Sequence, residues 1–96
     1  MVLYEVNLSI DASVYDDYLQ WLKLHIAEIL KINGFVGAKT YFLQEDTHQV
    51  IVVYKIKSQA DLTNYLENHA AHFRQDALNR FGEKVKATRR ILVEQK

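Results

Sequence analysis

Five apolar side chains at every second position, Val2, Tyr4, Val6, Leu8 and Ile10, commit the start of this chain to a β-strand with one buried face; Glu5, Asn7 and Ser9 stand between them. A strand with one apolar face must cover it with another layer. The next segment supplies that layer. Val14, Tyr18, Trp21, His25, Ile29 and Ile32 fall on one stripe at the helical turn of about 100° per residue. Asp11 or Ser13 opens this helix, and Ser13 with Asp16 resembles a capping box in which Asp replaces Glu. Asn33-Gly34 closes it, where glycine adopts a left-handed backbone at low cost. Two β-rich runs follow, Phe35–Gln44 and Gln49–Lys57, joined as a hairpin by the polar turn Glu45, Asp46, Thr47 and His48. Ser58 with Asp61 signals a second helix whose Leu62, Leu66, Phe73 and Ala77 share a stripe. It runs to about Phe81 and stops at Gly82. The last strand covers Lys84–Glu94.

The order is strand, helix, strand, strand, helix, strand. Parallel strands need a crossover while antiparallel neighbours need only a hairpin. Right-handed crossovers then place both helices on one sheet face. The predicted fold is α+β: a ferredoxin-like βαββαβ antiparallel sheet with two helices on one face, as a single domain over residues 1–96. The other face is left with Leu3, Tyr41, Leu43, Ile51, Val53 and Leu92 beside Glu5, Asn7, Lys39 and Lys55. That is too apolar to stay wet. A chain of 96 residues also buries only about 60–70% of its unfolded surface. A homodimer through this sheet face is the expectation.

Charge and composition exclude several functions. Twelve basic side chains balance twelve acidic ones, so no clustered positive field is available for nucleic acid. The chain has no cysteine, hence no disulfide, thiolate nucleophile or thiolate metal site. The opening MVLYEVNLS lacks a basic n-region, so it is not a secretory signal. No apolar run approaches the roughly 18 residues that cross a bilayer. A cytoplasmic protein without a membrane partner is expected.

Polar residues inside the apolar stripes mark the candidate site. His25 lies near the centre of the first helical stripe and His69 near the centre of the second, so each imidazole is aimed at the sheet. Each alone fits a buried histidine satisfied by a carbonyl or a hydroxyl. Two on facing stripes point to a shared pocket, because imidazoles near pH 7 are proton shuttles. Arg89 sits among Val85, Ala87, Ile91 and Val93 on the helix side of the last strand. It is either paired with Glu28 or Asp76, or it receives an anionic oxygen. Tyr4 and Tyr54 face the same side, and Trp21 offers an aromatic wall. His69 and His72 have no third ligand at a recognisable spacing. Neither a metal nor a cofactor is expected.

The segments YEVNL, WLKLHI, GF, YLENHA and RFGEKVKATRRIL together resemble a family of small bacterial proteins of unknown function in the dimeric α+β barrel superfamily, over nearly the whole chain. Trp21, His25, Tyr54, Tyr65, His69, Arg74, Phe81, Arg89 and Arg90 match the family's pattern. The superfamily includes antibiotic-biosynthesis-type monooxygenases and muconolactone isomerases. The resemblance implies face-to-face sheet dimers and ligands lodged between helices and sheet, but assigns no catalytic role. Two functions follow as expectations. In the first, His25 and His69 move a proton, while Tyr4, Trp21, Tyr54 and Arg89 hold a small anionic or aromatic molecule, in isomerase or cofactorless monooxygenase chemistry. In the second, the same residues form a structural network in a non-catalytic dimeric binding or regulatory module.

Overall fold

The computed structural model describes residues 1–95. Its strands are β1 (Val2–Ile10), β2 (Phe35–Leu43), β3 (Asp46–Ile56) and β4 (Val85–Val93). They form one antiparallel sheet in the order β2-β3-β1-β4. The helices are α1 (Tyr15–Ile29), α2 (Gln59–Asn68) and α3 (Ala70–Phe81). The architecture is the expected ferredoxin-like α+β fold. Among the described residues no helix is long and apolar enough to cross a membrane.

The alternation in β1 and β3 builds the core. Val2, Tyr4, Leu8 and Ile10 on β1 and Val50, Val52, Tyr54 and Ile56 on β3 are buried beneath Tyr18, Leu22 and Ile29 of α1 and Leu62 and Tyr65 of α2. These two central strands are covered because the helices lie over the middle of the sheet. The covering is uneven. Only Ala70 of α3 is buried, and β4 contributes no buried residue. Space is therefore left beneath α3, and the candidate site occupies it.

Several boundaries differ from the sequence reading. The second helix is two helices: His69, at φ −128° and ψ −36°, ends α2 and precedes α3. Neither glycine nor proline marks that joint, and the helix-forming residues around it gave no signal of a stop. The first helix opens with a short 3-10 turn over Ala12–Val14, capped by the Asp11 carboxylate, which accepts from the Ser13 amide at 2.9 Å. It ends at Ile29, and a turn carries the chain to Gly34. Strand β3 starts at Asp46, so the hairpin turn is Gln44-Glu45 rather than four residues long. The second capping signal matches the structure. The Asp61 amide donates to Ser58 Oγ, and Ser58 Oγ donates to Asp61 Oδ2 at 2.9 Å.

Gly34 is required where it stands. Its φ is +94°, and a Cβ there would collide with the Asp61 side chain at the start of α2. Its carbonyl accepts from the Lys57 amide at 2.8 Å. The exit of α1 is thereby locked against the entry of α2.

Candidate functional site

A cavity of about 280 Å³ opens between α1, α3 and the helix-facing side of β1, β3 and β4. Alternation on the strands turns Tyr4, Val6 and Leu8 of β1, Val52 and Tyr54 of β3, and Val85, Ala87 and Arg89 of β4 into it. Register ties these together: Tyr4 is opposite Tyr54, and Val6 is opposite both Val52 and Arg89. From above, α1 contributes Tyr18, Trp21 and His25, each about one turn after the last, and α3 contributes Phe73, Arg74 and Ala77.

The wall is aromatic. The His25 imidazole stacks on the Trp21 indole at 4.6 Å between centroids, and the Phe73 ring meets it edge-on at 5.2 Å. Tyr4 packs against Tyr54 at 6.2 Å and Tyr65 at 5.9 Å. Arg74 Nη2 donates to the Tyr4 hydroxyl at 3.4 Å. None of the side-chain hydrogen bonds among the described residues involves the hydroxyls of Tyr18, Tyr54 or Tyr65, and no buried side-chain polar atom is sealed off without a partner. Those three hydroxyls therefore open onto the cavity.

Protonation follows from the surroundings. Burial drives the His25 pKa down to about 4; Asp76 opposes that shift and Arg89 adds to it. Burial pushes the Tyr18 and Tyr65 hydroxyls up to about 12 and also raises that of Tyr54, with Arg89 pulling all three the other way. At neutral pH the site holds a neutral imidazole that can accept a proton and three phenols that can donate hydrogen bonds. Its charged lining groups are Arg74 and Arg89; no carboxylate lines it.

Of the six residues singled out in the sequence, Tyr4, Trp21, His25, Tyr54 and Arg89 line this cavity. His69 does not. It is half-buried at the joint between α2 and α3, its ring lying over Tyr65 at 6.5 Å. The expectation of one cavity shared by His25, His69 and Arg89 thus fails at His69, because the break removes it from a continuous helical stripe. Neither suggested partner for Arg89 is engaged: Glu28 pairs with Lys31 and Asp76 with Arg80, at 3.3 and 3.4 Å. Arg89 is on the predicted face but exposed, because it lies on an edge strand beyond the cover of the helices. Arg74 was legible only as part of the family resemblance. It falls off the second stripe, and only a long side chain returns it to the cavity. Among the described residues no group of three or more His, Asp or Glu side chains is placed to hold a metal ion.

The order β2-β3-β1-β4 with helices on one face defines a ferredoxin-like α+β protein. The structure is similar to a crystal structure of an antibiotic biosynthesis monooxygenase, with TM-score 0.78 and 11% identity over all of both chains. It is similar to a mutant form of SnoaB, a cofactor-independent oxygenase from Streptomyces nogalater, with TM-score 0.77 and 9% identity over 99% of this chain and 94% of that one. A conserved protein from Methanosarcina mazei matches with TM-score 0.76 and 16% identity over 99% and 94% of the two chains. At such identities the likeness is one of fold. No curated protein matches the chain by sequence. The chain belongs to the family described as Domain of unknown function (DUF4286), which it matches over residues 1–95.

Proposed function

We propose that this protein binds a small anionic aromatic molecule in the cavity beneath α3 and moves a proton on it, with His25 as the acceptor. The observation that carries the reading is the lining itself: an aromatic wall, three open phenol hydroxyls and two arginines, with no carboxylate among them. Trp21 and Tyr54 flank the ring of the ligand. Arg89 and Arg74 supply the cationic donors for its acidic oxygen atoms, and the tyrosine hydroxyls donate to oxygen on which charge develops. A free His25 with a pKa of about 4 is a weak base. An anion bound beside it favours the imidazolium and raises that pKa toward the working range of a general base. Abstraction of a proton from a phenol or enol gives a phenolate or enolate. That species is the common entry to isomerisation and to oxygenation without a cofactor, the activity named for SnoaB. His69 has no part in this site.

The proposed assembly is a homodimer through the uncovered sheet face. Leu3, Tyr41, Val53 and Leu92 lie on that face, and Tyr41 and Leu92 are exposed.

The test is ligand retention and exchange. Protein purified without denaturation is analysed by native mass spectrometry, then by thermal shift against a panel of hydroxybenzoates, hydroxyquinones and their uncharged esters. The acids raise Tm and the esters do not, and Arg89→Gln removes the difference. For proton transfer, solvent deuterium appears at the enolisable position with the wild type and not with His25→Phe. A panel in which acids and esters behave alike removes the anion reading. Exchange no faster than in protein-free buffer leaves a non-catalytic binding module, and equal accelerated exchange in both proteins removes His25 as the acceptor.

A further inference from the structure

The lining carries two positive charges and no negative one, although the chain as a whole is balanced at twelve and twelve. The two cations come from separate elements, Arg74 from the first turns of α3 and Arg89 from edge strand β4. Both residues are exposed, so their guanidinium groups stand at the open side of the cavity while the aromatic wall lies deeper. Among the described residues neither forms an ion pair; the arginines that do are Arg80 and Arg90. Arg74 uses one donor on Tyr4, and a guanidinium has five. Asp76 is on the adjoining face of α3 but is held by Arg80 at 3.4 Å.

Size narrows the ligand further. An apolar cavity of about 150 Å³ holds benzene. The space here, about 280 Å³, is nearly twice that. The space is open on one side, so a single ring does not fill it and two fused rings fit.

We propose that the ligand of this cavity is a dianion built on a bicyclic aromatic frame, with two separated acidic oxygen groups, one held by Arg74 and the other by Arg89. This rests on the ligand-binding reading above and gives that ligand its charge and size. A monoanion engages one guanidinium and leaves the other to solvent at the open side of the cavity. A dianion satisfies both, each through a charge-assisted and geometrically selective pair.

The experiment is isothermal titration calorimetry on the intact protein at pH 7 and low salt, with four probes: naphthalene-2,6-dicarboxylate, 2-naphthoate, 2-naphthol and terephthalate. The expected order places naphthalene-2,6-dicarboxylate about two- to fivefold tighter than 2-naphthoate, since one added pair to an exposed guanidinium is worth about that factor. Terephthalate, with the charges but one ring, binds more weakly than the bicyclic diacid. Arg74→Gln and Arg89→Gln each bring the ratio between diacid and monoacid close to one. Salt gives a readout that needs no variant: affinity for the diacid falls more steeply with ionic strength than affinity for the monoacid. Equal affinity and equal salt dependence for diacid and monoacid overturn the dianion and leave the anion-binding reading standing. Terephthalate binding as tightly as the bicyclic diacid overturns the two-ring size. Binding of 2-naphthol alone, or of none of the four, overturns both the inference and the reading beneath it.

Discussion

The imidazole of His25 lies flat on the indole of Trp21, one helical turn earlier on α1, with ring planes 14° apart. The contact places a titratable group on an apolar wall and holds it neutral. It also makes His25 one source of the protein's acid sensitivity.

Burial lowers the folded-state pKa of His25 from 6.5 to about 4. Above pH 6.5 the residue is neutral in both states and adds no pH dependence. Between 6.5 and 4 the unfolded chain takes up a proton that the folded chain refuses, so stability falls as pH falls. The full effect, reached below pH 4, is about 3 kcal/mol at most. Urea midpoints at pH 7, 5.5 and 4.5 for wild type and His25→Phe measure it. The variant retains the stack on Trp21 and shows a shallower loss across that window. Parallel pH profiles remove the claim that His25 is held neutral.

The second prediction concerns the opposite face of the sheet. Glu5 is only 7% exposed; it is shielded by neighbours lying over it rather than sunk in the interior. Its carboxylate accepts from Arg90 Nε at 3.0 Å and from Asn7 Nδ2 at 3.1 Å. The Arg90 hydrogen bond, above all, holds its pKa below the usual carboxylate value of 4.5. That contribution to stability is present above pH 4.5 and is lost as pH falls through the lower folded value, at the acid end of the His25 window and below it. Because the Arg90 side chain is 66% exposed, solvent screening limits its removal in Arg90→Ala to about 1 kcal/mol. Chemical denaturation at pH 7 and pH 3 gives the difference, which shrinks at the lower pH. Glu5→Leu, which removes the buried acceptor instead of stranding it, is closer to neutral.

Gly34→Ala destabilises by about 1–3 kcal/mol, the usual cost of holding a non-glycine residue in the left-handed region. The collision with Asp61 adds to that cost. Asp61→Gly in the same chain removes the Cβ and carboxylate that collide but not the backbone strain, so the double variant recovers part of the loss relative to Asp61→Gly alone. Unfolding curves of the two single variants and the double variant close the cycle. Full recovery in the double variant assigns the whole cost to the collision.

Val53→Asp tests the proposed dimer. Val53 lies on the uncovered face opposite Glu5 on β1 and Lys39 on β2. A second carboxylate beside Glu5 disfavours burial of that face against another copy. Sedimentation velocity at micromolar concentration shows a dimer for wild type and a monomer for the variant. A wild type that sediments as a monomer removes the dimer from the proposal.

Those four outcomes rest on features of unequal legibility. Strand β1 could be read directly, since alternation has a period of two and its faces cannot be confused. For the same reason Arg89 was placed on the right face of β4 although its exposure was not foreseen: periodicity gives direction, and the position of the covering helix decides depth. On α1 a continuous helix let the geometry carry from Tyr18 through His25, and Tyr18, Trp21 and His25 all reach the cavity. The second helical stripe failed at His69 because angular reckoning from Leu62 assumes an unbroken helix, and no residue type marked the joint. Phe73 and Ala77 still face the cavity. The emptiness beneath α3 was not legible either. An apolar stripe shows that a face turns inward, not that it reaches its neighbour.

The sheet order has a consequence for biogenesis. Strand β1 lies between β3 and β4, and Val2 stands opposite both Ile56 and Val93. Of the four strands of this sheet, the first to be made is thus completed only by the last. Until β4 arrives, the nascent chain exposes one whole edge of β1, and Glu5 lacks Arg90 beside it. An open edge of that kind is a template for another strand. Polypeptides interrupted before Val85 are therefore candidates for pairing with a neighbouring nascent copy, and chaperone or protease attention falls on the interval between the making of β3 and the docking of β4.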